Sequence, residues 1–320
     1  MPEVRLEPRS PFVLAGYAVL LLLSLAAPFI GLYPVLVMKV LCFAIFACAF
    51  NLLLGYTGLL SFGHAAFFGG AAYATGWIVK SMNVTPELGI LFGVVIAAAM
   101  GLVVGAIAIR RQGIYFAMIT LALAQMVYFV CLQAPFTHGE DGLQGVPRGR
   151  LFGMISLESD TSMYYFVLAV FIAVFLFIRR IVHSPFGQVL KAIRENESRA
   201  ISLGYAVDRY KLLAFVLSTA LAGLGGSLKA LVVQLATLTD VQWQMSGEVI
   251  LMTLLGGLGT FFGPVLGSGI VISLQDLLAD RVGSWVTVII GFIFVACVLL
   301  FRRGIVGEFE AFRTRLQARR

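Results

Sequence analysis

Charge is what this chain has least of. Asp, Glu, Lys and Arg supply 12% of its 320 residues against 60% hydrophobic ones, whereas a soluble domain carries roughly 25% charged residues. With a mean hydropathy of +0.97, that scarcity excludes a water-soluble globule and leaves a polytopic membrane protein. Long polar stretches are missing too. The longest segments without an apolar span, 137–161 and 179–211, are too short to fold alone, so residues 1–320 are expected to form a single transmembrane domain. No G-x-x-x-x-G-K-S/T phosphate loop occurs, which removes the usual means of binding ATP. Cys42, Cys48, Cys131 and Cys297 sit in apolar runs without metal-ligand spacing. They read as small buried hydrophobes, and neither a metal site nor a disulfide framework is expected.

What the chain has is apolar length. A span needs about 20 such residues to cross the hydrocarbon, and charge-poor runs of that kind fall at 12–30, 35–54, 61–79, 88–109, 114–133, 163–178, 211–235 and 283–301. Between the last two, glycines and Pro264 cut residues 249–278 into two pieces, either two short spans or one broken hairpin that returns to its starting side. The expected fold is all-α, a polytopic transmembrane bundle of about 8–10 spans including that broken or re-entrant pair.

Basic residues set the orientation. With the N-terminus inside, the inner segments hold Arg5 and Arg9 (basic segment 1–11), Arg110 and Arg111, and the Lys and Arg of 179–211 and of the basic tail 302–320. The outer ones hold Lys39, Lys80, Arg148, Arg150 and Arg281. That bias predicts cytoplasmic N- and C-termini. Topology therefore accounts for the net charge of +7, nucleic-acid binding is not expected, and attraction of the basic tail to anionic membrane lipid is generic.

Two segments carry more information. Residues 51–76, NLLLGYTGLLSFGHAAFFGGAAYATG, are dense in Gly, Ala and small hydroxyl residues around one histidine; such composition lets helix backbones approach closely and suits a protein-facing segment beside a polar path. Residues 184–205, SPFGQVLKAIRENESRAISLGY, make the core of the longest inner loop. Ser184 can cap a helix with Pro185 in its first turn, and Gly204 suits its end. Phe186, Val189, Leu190 and Ile193 then form one apolar stripe, suited either to lying on headgroups or to docking in a partner's groove.

These segments, with THGEDGLQGVPR at 137–148, KLLAFVLSTALAGLGGSLKAL at 211–231 and LLGGLGTFFGPVLGS at 254–268, resemble in order and spacing the M-type permease of branched-chain amino-acid ABC importers, the LivM family. The resemblance implies a subunit of the bacterial inner membrane with no enzyme activity and no bound cofactor of its own. ATP would be hydrolysed by two cytoplasmic ABC ATPase subunits, beside an H-type sister permease and a periplasmic solute-binding protein. It implies transport of leucine, isoleucine and valine, although relatives also carry urea, short amides, other amino acids or aromatic acids. It further implies that 184–205 is the coupling region. The competing classes are a gradient-driven carrier and a passive channel. A carrier commonly places ionisable relays at membrane depth, and here only His64, Lys229 and Glu248 are candidates, with Lys229 read as snorkelling outward.

A zwitterion crossing the membrane needs weak polar contacts, and Asn51, Thr57, Ser61, His64, Tyr115, Thr120 and Gln125 offer them within apolar segments. ATPase coupling falls to Phe186, Val189, Leu190 and Ile193, with Arg194 and Glu195 just beyond the stripe. In the outer loop Glu140 and Asp141 form an acidic turn with Arg148 and Arg150 close by, a charged rim suited to steering a binding protein.

Overall fold

The computed structural model describes residues 33 to 285 and, in pieces, 288 to 295 and 304 to 308. The expected span at 12–30, much of that at 283–301, the segment 1–11, the tail apart from 304–308, and Cys297 lie outside the described residues.

Helices α1 (Pro34–Thr57), α2 (His64–Met82), α3 (Pro86–Ala108), α4 (Ile114–Gln133) and α5 (Asp160–His183) run up and down through the bundle. The short helices α6 (Pro185–Glu195) and α7 (Glu197–Ser202) follow as an elbow, then α8 (Val207–Val233), α9 (Trp243–Gly256) and α10 (Gly263–Val282). Proline opens α1, α3 and α6, where its missing N–H costs nothing and its fixed φ suits a first turn. Four two-residue strands decorate one end: β1 (Leu143–Gln144) pairs antiparallel with β4 (Leu235–Ala236), and β2 (Arg150–Leu151) with β3 (Ile155–Ser156).

Helices α1, α3, α4, α5 and α8 are long and apolar enough to cross a membrane. Helix α2, at 19 residues, has the length, but its Gly, Ala and Thr keep it less apolar. It needs little lipid-facing surface because α3 and α8, with α4 and α9, pack around it. Exposed apolar side chains concentrate on the outside of α3 and α4, among them Leu91, Val95, Val103, Met118 and Val130, as a lipid-facing surface requires. In the centre the backbones nearly touch. A Cβ on Gly226 of α8 would lie 1.9 Å from the Phe68 carbonyl oxygen of α2, so only glycine lets these two helices meet.

The broken pair is a hairpin. Helices α9 and α10 pack against each other and against α1, and the turn at 257–262 lies beside Gly55 near the C-terminal end of α1. The segment before α9 folds back into the bundle, with Leu238 and Asp240 buried. Lys229 does not snorkel outward. Its ammonium is buried and paired with Asp240 at 2.6 Å, and Asp240 also accepts from the Thr237 backbone N–H, so the folded-back segment supplies the counter-charge that the apolar surroundings demand.

Candidate functional site

The site expected around residues 51–76 is built from α1, the turn at 58–63 and the start of α2. Gly58 takes φ +77 and closes α1 with its N–H on the Leu54 carbonyl, which turns the chain back into the bundle. His64 then opens α2 fully buried, with Phe50, Phe67 and Phe215 edge-on to its ring at centroid distances of 5.2, 5.7 and 5.8 Å. Its Nε2 lies 2.8 Å from Ser218 Oγ, whose hydroxyl donates to the Ala49 carbonyl at 2.5 Å. Because the serine proton is committed to Ala49, the imidazole must donate from Nε2, the neutral tautomer with a bare Nδ1. His64 thus joins α1, α2 and α8 through one hydrogen-bond chain, while Ser246 of α9 accepts from the Ala65 N–H at 2.9 Å.

Asn51 faces the hairpin turn. Its Nδ2 donates to the Thr260 carbonyl and its Oδ1 accepts from the Gly259 N–H, both at 2.9 Å. Both halves of the amide are spent on a segment more than two hundred residues away in the chain. Thr57 donates to the Leu53 carbonyl, Thr120 to the Ala117 carbonyl, and Ser61 accepts from the Gly63 N–H. All three are buried. Tyr115 is 68% exposed and Gln125 half-buried on α4. The structure therefore gathers Thr57, Ser61 and His64, with Thr120 against Gly63, around the turn at 58–63, commits Asn51 to the turn at 257–262, and leaves Tyr115 and Gln125 apart on α4.

The elbow forms as its sequence predicts. Ser184 caps α6 by accepting from the Gly187 N–H, Pro185 occupies the first turn, and Gly204 takes φ +86 after α7. The apolar stripe, however, is turned inward: Leu190 and Ile193 are 0% and 3% exposed, Ile193 packs with Ala200, Val207, Val189 and Tyr210, and Phe186 stacks on Tyr210. Leu190 and Ile193 are thus spent on anchoring α6 within the chain, while Phe186 and Val189 stay half-buried. The outward apolar side chains are instead Ile201, Leu203 and Tyr205, at 58%, 69% and 40% exposure. Glu195 is exposed beside them. Arg194 reaches back to donate to the Gly55 carbonyl, and its guanidinium borders Gly259. Glu197 of α7 binds Lys211 of α8 at 2.5 Å and Gln112 at 2.9 Å, fixing the elbow to the bundle from its other side.

At the opposite end Glu140, Asp141 and Arg150 are exposed. Arg148 is beneath the rim: it is 8% exposed, pairs with Asp160 at 2.6 Å and donates to the Val232 carbonyl at 3.0 Å, so it pins the loop to α5 and α8. Among the described residues no three His, Cys, Asp or Glu side chains gather closely enough to hold a metal ion.

Residues 33–298 match the family described as the permease component of the branched-chain amino acid transport system. The chain belongs to that family. The permease is 27% identical over 287 residues, 82% of its own length and 67% of the relative's, to the high-affinity branched-chain amino acid transport system permease protein LivM of Escherichia coli strain K12. It is 26% identical over the same shares to the LivM protein of Salmonella typhimurium. To the probable branched-chain amino acid transport permease protein LivM of Methanocaldococcus jannaschii it is 29% identical over 63% of its length and 60% of the relative's. No solved structure matches. The permease is a multi-pass membrane component of a multi-subunit transport system. Ser218 and Ser246 escaped the sequence reading because each completes a contact with a distant helix, and Asp240 because it meets Lys229 only where the segment after α8 folds back.

Proposed function

We propose that this permease carries leucine, isoleucine and valine inward across the bacterial inner membrane, driven by ATP that two cytoplasmic ABC ATPase subunits hydrolyse. An H-type sister completes the membrane core and a periplasmic solute-binding protein delivers the amino acid. Both termini and the α6–α7 elbow lie inside in this reading, and Glu140, Asp141 and Arg150 meet the binding protein outside. The observation that carries it is the elbow itself, clamped to the bundle through Glu197 and Arg194 while presenting Ile201, Leu203 and Tyr205 outward. An anchored lever with an exposed apolar tip is what an ATPase groove would grip. Asn51, Thr57, Ser61, His64 and Thr120 then form the wall and hinge of the path, and Tyr115 and Gln125 remain available for contact.

Replacing Ile201 and Leu203 together by Asp is expected to leave the permease in the membrane and remove ATPase co-purification and leucine uptake. Normal uptake in that variant rules out the elbow as the docking point. Leucine uptake by the unaltered complex that continues without ATP assigns the protein to a carrier or channel. ATP-driven uptake of urea or an aromatic acid in place of leucine moves the substrate.

A further inference from the structure

A second polar centre lies away from the 58–63 turn and the elbow. Where α1, α9 and α10 meet there is a cavity of about 580 Å³, lined among others by Lys39, Trp243, Glu248, Leu251, Gln275 and Asp276. The volume falls in the range of small-molecule sites, roughly 300–1,000 Å³. Lys39 is the sixth residue of α1 and Asp276 the seventh from the end of α10, so each charge lies about 8–9 Å inside its helix end at a rise of about 1.5 Å per residue. Both belong to the end of the bundle opposite the elbow.

Among the described residues these charges are not paired with one another. Gln275 Nε2 donates to Glu248 Oε2 at 3.1 Å, which fixes one carboxylate oxygen and leaves the other open. Lys39 and Glu248 line the same cavity, yet among the described residues neither Lys39, Glu248 nor Asp276 has an ion-pair partner. Elsewhere in this chain a cation set into the bundle is met directly, as Lys229 is by Asp240 and Arg148 by Asp160. Lys39 and Glu248 are half-buried and Asp276 is exposed along one mainly apolar cavity, and such a lining is complementary to a ligand that carries both charges a short distance apart and an apolar remainder.

We propose that this cavity is an entry site for an aliphatic α-amino acid. The ligand carboxylate meets the Lys39 ammonium, the ligand ammonium meets Glu248 and Asp276, and the branched side chain packs on Trp243 and Leu251. The assignment rests on the transport reading above for its substrate and goes beyond it in naming the residues. Binding is weak by design, because every contact sits on a wall that must let the ligand pass.

The test uses the complete complex in native membranes, with Leu251→Cys as a reporter inside the cavity and the labelling rate by a small methanethiosulfonate reagent as the readout above the parent chain. Cys42, Cys48 and Cys131 are buried. Leucine is expected to slow labelling ~10-fold at a concentration ~10 times its Kd. Isoamylamine and 4-methylpentanoate, each lacking one of the two charges, should protect little. Adding Lys39→Met should abolish protection and Lys39→Arg should keep it. Equal protection with Lys39→Met, protection by either singly charged analogue as strong as by leucine, or a reporter that never labels would each overturn the site. Protection by leucine without ATP-driven uptake would leave the site standing and overturn the importer reading.

Discussion

His64 and Tyr115 both looked like path residues, and their surroundings separate them. The histidine ring is packed by three phenylalanines and bonded to Ser218, so His64→Ala opens a void and orphans a hydroxyl chain, a loss of about 2–4 kcal/mol. Tyr115→Ala, on a side chain 68% exposed, should change stability by no more than about 0.5 kcal/mol. Thermal melting of the two purified variants decides this, and equal midpoints would refute the packing role of His64. The Lys229–Asp240 pair makes a sharper case. Both groups are buried, so Asp240→Asn alone strands a buried ammonium and should cost about 3–5 kcal/mol, while Lys229→Met with Asp240→Leu should recover much of it. A double variant that melts as low as the single one would mean that the charge pair itself, and not the stranded ion, matters.

At the scale of elements, Asn51 holds the turn of the α9–α10 hairpin by two opposed hydrogen bonds. Asn51→Leu should release the 257–262 backbone, and Asn51→Asp should release it half-way, since a carboxylate still accepts from Gly259 but cannot donate to Thr260. Hydrogen exchange of peptides covering that turn should rise in the order wild type, Asp, Leu; identical exchange in all three would show that the turn is held by packing. This contact also marks where sequence reading stops. Helix α4 was expected at 114–133 and is found there, and the capped elbow was readable from Ser184, Pro185 and Gly204, because spans and caps are local and set by length, periodicity and backbone freedom. Periodicity likewise announced that one face of α6 is apolar. It carried no information on whether that face meets a partner or the chain's own α8, since both bury the same side chains. Asn51 with Gly259, and Lys229 with Asp240, are choices made by tertiary packing, for which a lone polar residue in an apolar run is the sole trace.

For the whole molecule the consequence is a continuous mechanical route. Arg194 at the end of α6 bonds the Gly55 carbonyl of α1 and borders Gly259 in the hairpin turn, which Asn51 of α1 grips from the other side. In the proposed coupling, a push on the elbow would reach α1 and the turn joining α9 and α10 together, and α9 and α10 supply Glu248 and Asp276 to the cavity at the far end. Such linkage makes two sites share one equilibrium, with coupling between sites typically worth about 1–3 kcal/mol. Arg194→Ala removes the link without touching Ile201, Leu203 or Tyr205, so ATPase co-purification and hydrolysis should persist while leucine uptake per ATP falls ~5–150-fold. Arg194→Lys, which keeps one cationic donor on a shorter reach but lacks the planar fork, should fall between the two. If uptake and hydrolysis decline in step, Arg194 serves docking alone. If uptake is unchanged, the turn takes no instruction from the elbow, and motion must enter the bundle through Glu197 and Lys211 of α8 instead.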